Sequence, residues 1–254
     1  MSERYQVVGI GNAIVDVLSQ TDDTFLDLMG IQKGIMQLVE RERGELLYGA
    51  MRDRTQAPGG SVGNTIAGLG NLGLRAGFIG RVRDDALGRF YAKSLTAEGT
   101  DFPNPPVTDA NLPTSRSMIF VTPDGERSMN TYLGISAELG PDDVSDTVAG
   151  SAEILFLEGY LYDKPKGMQA FERAVDLCHK AGGKAGAAEH GLHDGVPLGV
   201  RWRACRPRSR RSQAVRRVAH DRRNTARHAG RTRIAMRPVP RMRAVRAGGC
   251  RFPN

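Results

Sequence analysis

A chain of 254 residues, 40% hydrophobic and 25% charged, can form one large domain, or one domain with a small appendage, and has the composition of an ordinary soluble protein. No run approaches the roughly 18 apolar residues that cross a bilayer. MSERYQ carries no signal-peptide pattern, and Cys178, Cys205 and Cys250 form no C-x-x-C pair. A cytoplasmic protein with free thiols is therefore expected, in place of a membrane-spanning, secreted or disulfide-framed one. The net charge of +8 suggests a nucleic-acid or membrane partner, but it is unevenly placed. Residues 201–254 hold 18 arginines, no lysine and a single acid, Asp221, whereas residues 1–200 hold 18 basic and 27 acidic side chains, a net of −9.

In chain order, Tyr5 to Val8 in YQVVGIGNAIVDV is a short apolar run ending at glycine, as a buried strand does. TFLDLMG predicts a short helix followed by a turn, and IMQLVERERGELLYGAM (35–51) a helix with a polar face. A helix is expected from Ser61 to Leu72, with Ser61 as N-cap and Ile66, Leu69 and Leu72 on one side. LRAGFIGRV (74–82) reads as a strand, and DDALGRFYAKSLTAEG (84–99) as a helix stopped by glycine. After the proline-rich PNPPVTDANLP, SRSMIFVTPDGERSMNTYLG holds two β-like runs joined at Pro123-Asp124-Gly125, a hairpin signal.

AEILFLEGYL (152–161) predicts a buried strand, and KGMQAFERAVDLCHKAG (166–182) an amphipathic helix with Met168, Phe171, Val175 and Cys178 on one face. Strands alternating with helices of this length argue for an α/β fold with a doubly wound parallel sheet, the early β-rich insertion and the hairpin forming a small lid. Beyond about Gly186 no sustained strand or helix period continues.

GLGNLG (68–73) spells G-x-G-x-x-G, but a dinucleotide fingerprint needs its glycines between a strand and the start of a helix. Here a helix precedes them and a strand follows. Gly73 reads as the end of that helix, and Gly68 and Gly70 as places where it packs closely. The upstream group Gly59-Gly60-Ser61-Val62-Gly63-Asn64 carries more chemistry. Paired glycines entering a helix bring backbone N–H groups near a ligand, and Asn64 offers a donor and an acceptor to a hydroxyl-rich molecule. A glycine-rich turn opening a core helix explains the same residues about as well.

GIGNAIVD, PGGSVGNTIAGLGNLG and FIGRVRDDALG, taken together, resemble the N-terminal half of a ribokinase-like (PfkB-type) carbohydrate kinase. The GxGNxxxD start and the G-G-S-x-x-N form are most similar to the adenosine kinase branch and the sugar kinases near it. The resemblance continues through PTSRSMIFVTPDGERSMN and EILFLEGYL, over about residues 5–186.

The resemblance implies transfer of the γ-phosphoryl of ATP, with Mg2+, to a hydroxyl of a sugar or nucleoside, an adenosine-like nucleoside first. Asp16 matches the family's aspartate at the end of the first strand, which binds two sugar hydroxyls. Gly59, Gly60 and Asn64, with Asn12 nearby, would complete the sugar pocket. Arg127 matches a lid arginine that contacts the transferring phosphate, although a solvated hairpin arginine fits the residue equally well. The lid is expected over about 17–58 and 112–134.

The family's late G-A-G-D stretch, which supplies the catalytic base and anion hole, and its N-x-x-E stretch have no counterpart beyond Gly186. The catalytic aspartate therefore has no candidate, and little or no catalysis is expected of this chain. Half a doubly wound sheet would also leave an apolar edge open to aggregation.

Residues 187–254 are expected to form an irregular tail with two readings. An arginine-rich arm would make the protein nucleic-acid-associated. The lack of lysine, with arginine, alanine, proline and glycine sharing GC-rich codons, instead points to a frameshifted segment, and is favoured. HGLHD (190–194) pairs two histidines without further ligands, and no metal is assigned to it.

Overall fold

A computed structural model describes residues 4–193 and 196–205. The first half runs β1 (Tyr5–Ile10), β2 (Ile14–Gln20), α1 (Asp23–Leu28), β3 (Met36–Leu38), α2 (Arg41–Ala50), β4 (Thr55–Gly59), α3 (Ser61–Asn71), β5 (Ala76–Ile79), α4 (Ala86–Ala97) and β6 (Thr100–Asp101). There follow β7 (Ser115–Val121), β8 (Arg127–Tyr132), α5 (Asp146–Gly150), β9 (Ala152–Glu158), α6 (Pro165–Lys180), β10 (Lys184–His193) and β11 (Val196–Cys205).

Two sheets result. The larger has the order β11-β10-β9-β1-β5-β6; its pairs from β10 to β6 are parallel and β11 closes it antiparallel. Successive side chains of its central strands enter opposite cores, as the two-residue period of a strand requires. Val7, Phe78 and Phe156 join the core built with Val62 and Ile66 of α3 and Tyr91 and Leu95 of α4. Val8, Ile10, Ile79, Leu155 and Leu157 join the core built with Val148 of α5 and Ala170, Phe171, Ala174 and Cys178 of α6. Each buried large apolar side chain contributes about 1.5–3 kcal/mol, so these two layers hold the sheet. The fold is α/β and doubly wound.

The smaller sheet, β3-β8-β7-β2-β4, covers one face with α1 and α2, burying Val15, Val17, Met118 and Phe120 against Leu26 and Leu47. Its other face carries Ile14, Asp16 and Leu18 of β2, all only partly buried. The hairpin turn at Pro123-Asp124-Gly125 joins β7 to β8, with Gly125 at φ 85°.

Several sequence-based expectations are corrected. The expected helix over 35–51 is a strand followed by a helix. Met36–Leu38 pairs with β8, and α2 begins only at Arg41, because the edge of the sheet offers hydrogen bonds that a helix would forgo. Ser61 is the first helical residue of α3 and Gly60 its cap, with no side-chain cap hydrogen bond. The buried face of that helix is Val62, Gly63, Ile66, Ala67 and Gly70, while Leu72 is 78% exposed. Gly70 packs on Thr100 and the Glu98 and Gly99 carbonyls, whereas Gly68 faces open space.

Regular structure does not stop near Gly186. β10 pairs with β9 from Lys184 to Ala188, continues to His193, and is joined by β11. The short apolar runs there carry too weak a period to be read without their partners. Of the expected tail, residues 206–254 lie outside the described residues, as does Asp194 of HGLHD.

Candidate functional site

From β1 the chain moves outward through β5 and β6, then returns to the opposite side of β1 with β9 and β10. The strand order therefore reverses at β1, and the carboxyl ends of strands at such a reversal are the place where open α/β sheets bind ligands. The residues at those ends are Gly11 and Asn12 after β1 and Glu158 at the end of β9. β2 and β4 leave from the same corner to build the smaller sheet.

Asp16 stands in the middle of β2 rather than at the end of the first strand. Gly11, Asn12 and Ala13 break the extended run so that the chain can cross from one sheet to the other. β2 pairs antiparallel with β4, placing Ile14 opposite Gly59 and Asp16 opposite Ala57. The Asp16 carboxylate lies over Gly59: a β-carbon there would sit 2.5 Å from Oδ1 and 2.8 Å from Oδ2. Burial raises the Asp16 pKa, and the positive charge of Arg127 partly offsets that rise. Asp16 pairs with Ser117 of β7, and Arg127 with Val121, so both side chains leave the same face of the sheet. Arg127 is exposed, and its charge reaches Asp16 without an ion pair forming between them.

Gly60 has φ 95°, a backbone region open to glycine. A β-carbon there would also strike the Asn12 carbonyl. The turn delivers the chain into α3, where Asn64 lies exposed one turn in, its N–H donating to the Gly60 carbonyl at 2.9 Å. No described residue hydrogen bonds the Asn64 side-chain amide, which stands open toward solvent. Thus Asp16 lies against Gly59 and the Asn12 carbonyl against Gly60, Asn64 follows on the next turn, and Arg127 joins electrostatically.

Asn12 is committed elsewhere. It is buried, its Nδ2 donates to Glu158 Oε1 at 3.0 Å, and its Oδ1 accepts from Ser136 Oγ at 2.9 Å. It supports the pocket from behind instead of opening its amide to a ligand.

Three supporting residues escaped the sequence reading. Tyr91 of α4, fully buried, donates its hydroxyl to the Gly59 carbonyl at 3.2 Å, and Gly63 leaves it room. Glu158 and Ser136 hold Asn12. The EGYL that ends the ILFL strand was the available signal, since an acid closing an apolar strand is placed at the carboxyl end of the sheet.

A separate cavity of about 500 Å3 is bordered by Arg81, Glu138, Asp143 and Lys166. Arg81 holds both oxygens of Asp143, at 2.7 and 2.9 Å, and Lys166 holds Glu138 at 2.6 Å. Both of its cations are already paired with carboxylates, so the Asp16 corner is the better candidate. Among the described residues no three His, Cys, Asp or Glu side chains are grouped to hold a metal ion. No described helix is long and apolar enough to cross a membrane.

Residues 24–185 match the model of the pfkB family carbohydrate kinases. The structure superposes on adenosine kinase from Sinorhizobium meliloti with a TM-score of 0.66 and 47% identity, covering 72% of this chain and 56% of that one. A probable sugar kinase from Rhizobium etli CFN 42 gives 0.66 and 44%, covering 73% and 56%. A curated relative, 5-dehydro-2-deoxygluconokinase of Halalkalibacterium halodurans, is 29% identical over 124 residues, 48% of this chain and 38% of the relative. The chain thus spans little more than half the length of those two structures and about two fifths of that relative. With a family match over most of its described residues, and with the fold and the Asp16 corner in place, the chain belongs to the pfkB family of carbohydrate kinases.

Proposed function

We propose that this chain carries the acceptor-binding part of an ATP-dependent sugar or nucleoside kinase, with an adenosine-like nucleoside as the first acceptor to test. One observation carries the reading: a partly buried carboxylate, Asp16, seated over Gly59 on the open face of the smaller sheet and within the field of Arg127. A carboxylate held in this way can accept both hydroxyls of a cis-diol. An acceptor lacking either hydroxyl would leave a buried oxygen unpaired. Asn64 supplies a donor and an acceptor beside it, and Arg127 would lie toward the phosphate being transferred. The similarity to an adenosine kinase at 47% identity supports testing the nucleoside first, and that to a probable sugar kinase at 44% puts simple sugars beside it in the test.

Family membership implies ATP as phosphoryl donor. The described residues do not fit the donor side. They group no metal-binding acids, and the sequence beyond Gly186 holds neither G-x-G-D nor N-x-x-E. What this chain's residues supply is positioning of the acceptor, and we assign it little or no turnover. Positioning is a large part of such a reaction, whose remaining work is charge neutralisation around the phosphates.

The test is calorimetric titration of the 254-residue chain with adenosine, 2′-deoxyadenosine, ribose and fructose. Binding of adenosine with a loss of at least tenfold for the deoxy compound supports the reading; equal affinities, or none, overturn it. We further assign residues 187–254 to a reading-frame change. Translating the coding DNA from codon 180 in its other frames should restore N-x-x-E followed by G-A-G-D. Absence of both from every frame would reinstate the arginine-rich segment as native.

A further inference from the structure

Every crossing between the two sheets passes one point. β1 leads through Gly11, Asn12 and Ala13 into β2, β4 leads through Gly60 into α3, β7 begins at Ser115, and β8 ends just before the turn Gly134–Glu138. At that point lies Glu158, 1% exposed. Its Oε2 accepts the Asn12 N–H at 3.0 Å, its Oε1 accepts Asn12 Nδ2 at 3.0 Å, and its carboxylate also accepts the Val62 N–H of α3. Asn12 Oδ1 accepts from Ser136 Oγ at 2.9 Å, and the Ser136 N–H donates to Ser115 Oγ at 3.2 Å. Gly11 completes the arrangement, because any β-carbon there would overlap Glu158 Oε2.

We propose that Glu158 is a positioning residue: through Asn12 and the Val62 amide it fixes the junction of the two sheets and so the placement of Asp16 and Asn64. Three donors converge on one carboxylate, and they come from the exit of β1 and the entry of α3. Ser115 and Ser136 extend the chain of hydrogen bonds to the entry of β7 and the exit of β8. The four connections between the sheets are thereby tied to the end of β9, a strand of the larger sheet. Other ionisable groups that feel the charge of this carboxylate are Tyr91 from α4 and Tyr160 from the following turn. Neither of them hydrogen bonds it. The donors alone hold it, so they are also what it orders.

The importance of this junction for ligand binding rests on the acceptor-site reading above, and the test separates the two. Amide hydrogen exchange is measured at pH 8 on the full chain and on Glu158→Gln, Glu158→Ala and Ser136→Ala. Exchange at the Asn12 and Val62 amides is expected to rise at least tenfold in Glu158→Ala and less in Glu158→Gln, which keeps one accepting oxygen. Ser136→Ala, the mildest change, should loosen the same junction to a smaller extent. Val8, Phe156 and Met118, inside their strands, should keep their protection throughout.

Unchanged exchange at Asn12 and Val62, or a uniform rise across all strands in every variant, overturns the proposal. Adenosine titration is the second arm, with at least fivefold weaker binding expected for Glu158→Gln. Equal affinity despite a loosened junction also overturns it. If the unaltered chain binds no adenosine, the acceptor reading fails, and the exchange result alone decides whether Glu158 orders the junction.

Discussion

The carboxylate of Asp16 lies so close over Gly59 that a β-carbon would approach Oδ1 to 2.5 Å and Cγ to 2.6 Å. One residue thus makes room for the other. The first glycine of the GG pair serves the aspartate, while the second serves the chain, turning it at φ 95° into α3.

Gly59→Ala should therefore damage binding more than folding. The new methyl displaces the carboxylate, at a packing cost of about 1–3 kcal/mol, and adenosine should bind at least tenfold more weakly. In an Asp16→Ala background the stability cost should largely vanish, because the clashing group is gone. A cycle of urea unfolding measurements on the four proteins checks this; additive losses would show that the two side positions do not meet.

Gly60→Ala should do the reverse and damage the fold. It combines a left-handed backbone with a clash against the Asn12 carbonyl, which is fixed main chain. The expected loss is about 2 kcal/mol or more, seen as a lowered urea midpoint. A loss within about 0.5 kcal/mol, the range of ordinary surface substitutions, would mean that the turn relaxes freely.

Asp16→Asn separates binding from stability. Burial raises the pKa of Asp16, so its contribution to stability is present at low pH and is lost as pH rises through the raised value. At pH 7 the neutral amide removes that cost, and the variant should melt higher than the unaltered protein, with no gain near pH 3. Adenosine affinity should fall roughly 10–100-fold, the worth of a charge-assisted hydrogen bond. Retained affinity would remove Asp16 from the site.

Glu158 gives a pH dependence of its own. Burial pushes its pKa up from 4.5 to about 7, against the pull of the Asn12 and Val62 donors. The folded state therefore holds a proton that the unfolded chain releases between these values. Stability from this group is complete below pH 4.5 and is lost as pH rises through about 7, on the order of 3 kcal/mol in all. Glu158→Gln lacks the slope, so the stability gap between the two proteins should change by about that amount between pH 4 and pH 8. A gap that stays constant would mean the carboxyl titrates at its ordinary value.

Much of this was legible from residue order. The hairpin at Pro123-Asp124-Gly125, the strand ILFL and the amphipathic helix over 165–180 follow from turn chemistry and period. The strand Ile14–Gln20 was not read from the sequence, because its apolar residues stand on both faces and the glycines before it read as the end of one element instead of a passage between two sheets. Met36–Leu38 was too short to declare itself, because a three-residue edge strand exists only through its partner β8. The far ends of β10 and β11 were missed for the same reason.

The order of residues alone determined the alternation of strands and helices, the glycines on which a carboxylate could rest, and the family whose motifs they match, because these depend on local propensity and spacing. Only the folded molecule decided that Asn12 is turned inward, that Tyr91 braces Gly59, and that Glu158, 146 residues beyond Asn12, holds the junction beneath Asp16. Such contacts join residues far apart in the chain, and burial gives them their strength, since a carboxylate removed from water must find its donors wherever the fold brings them.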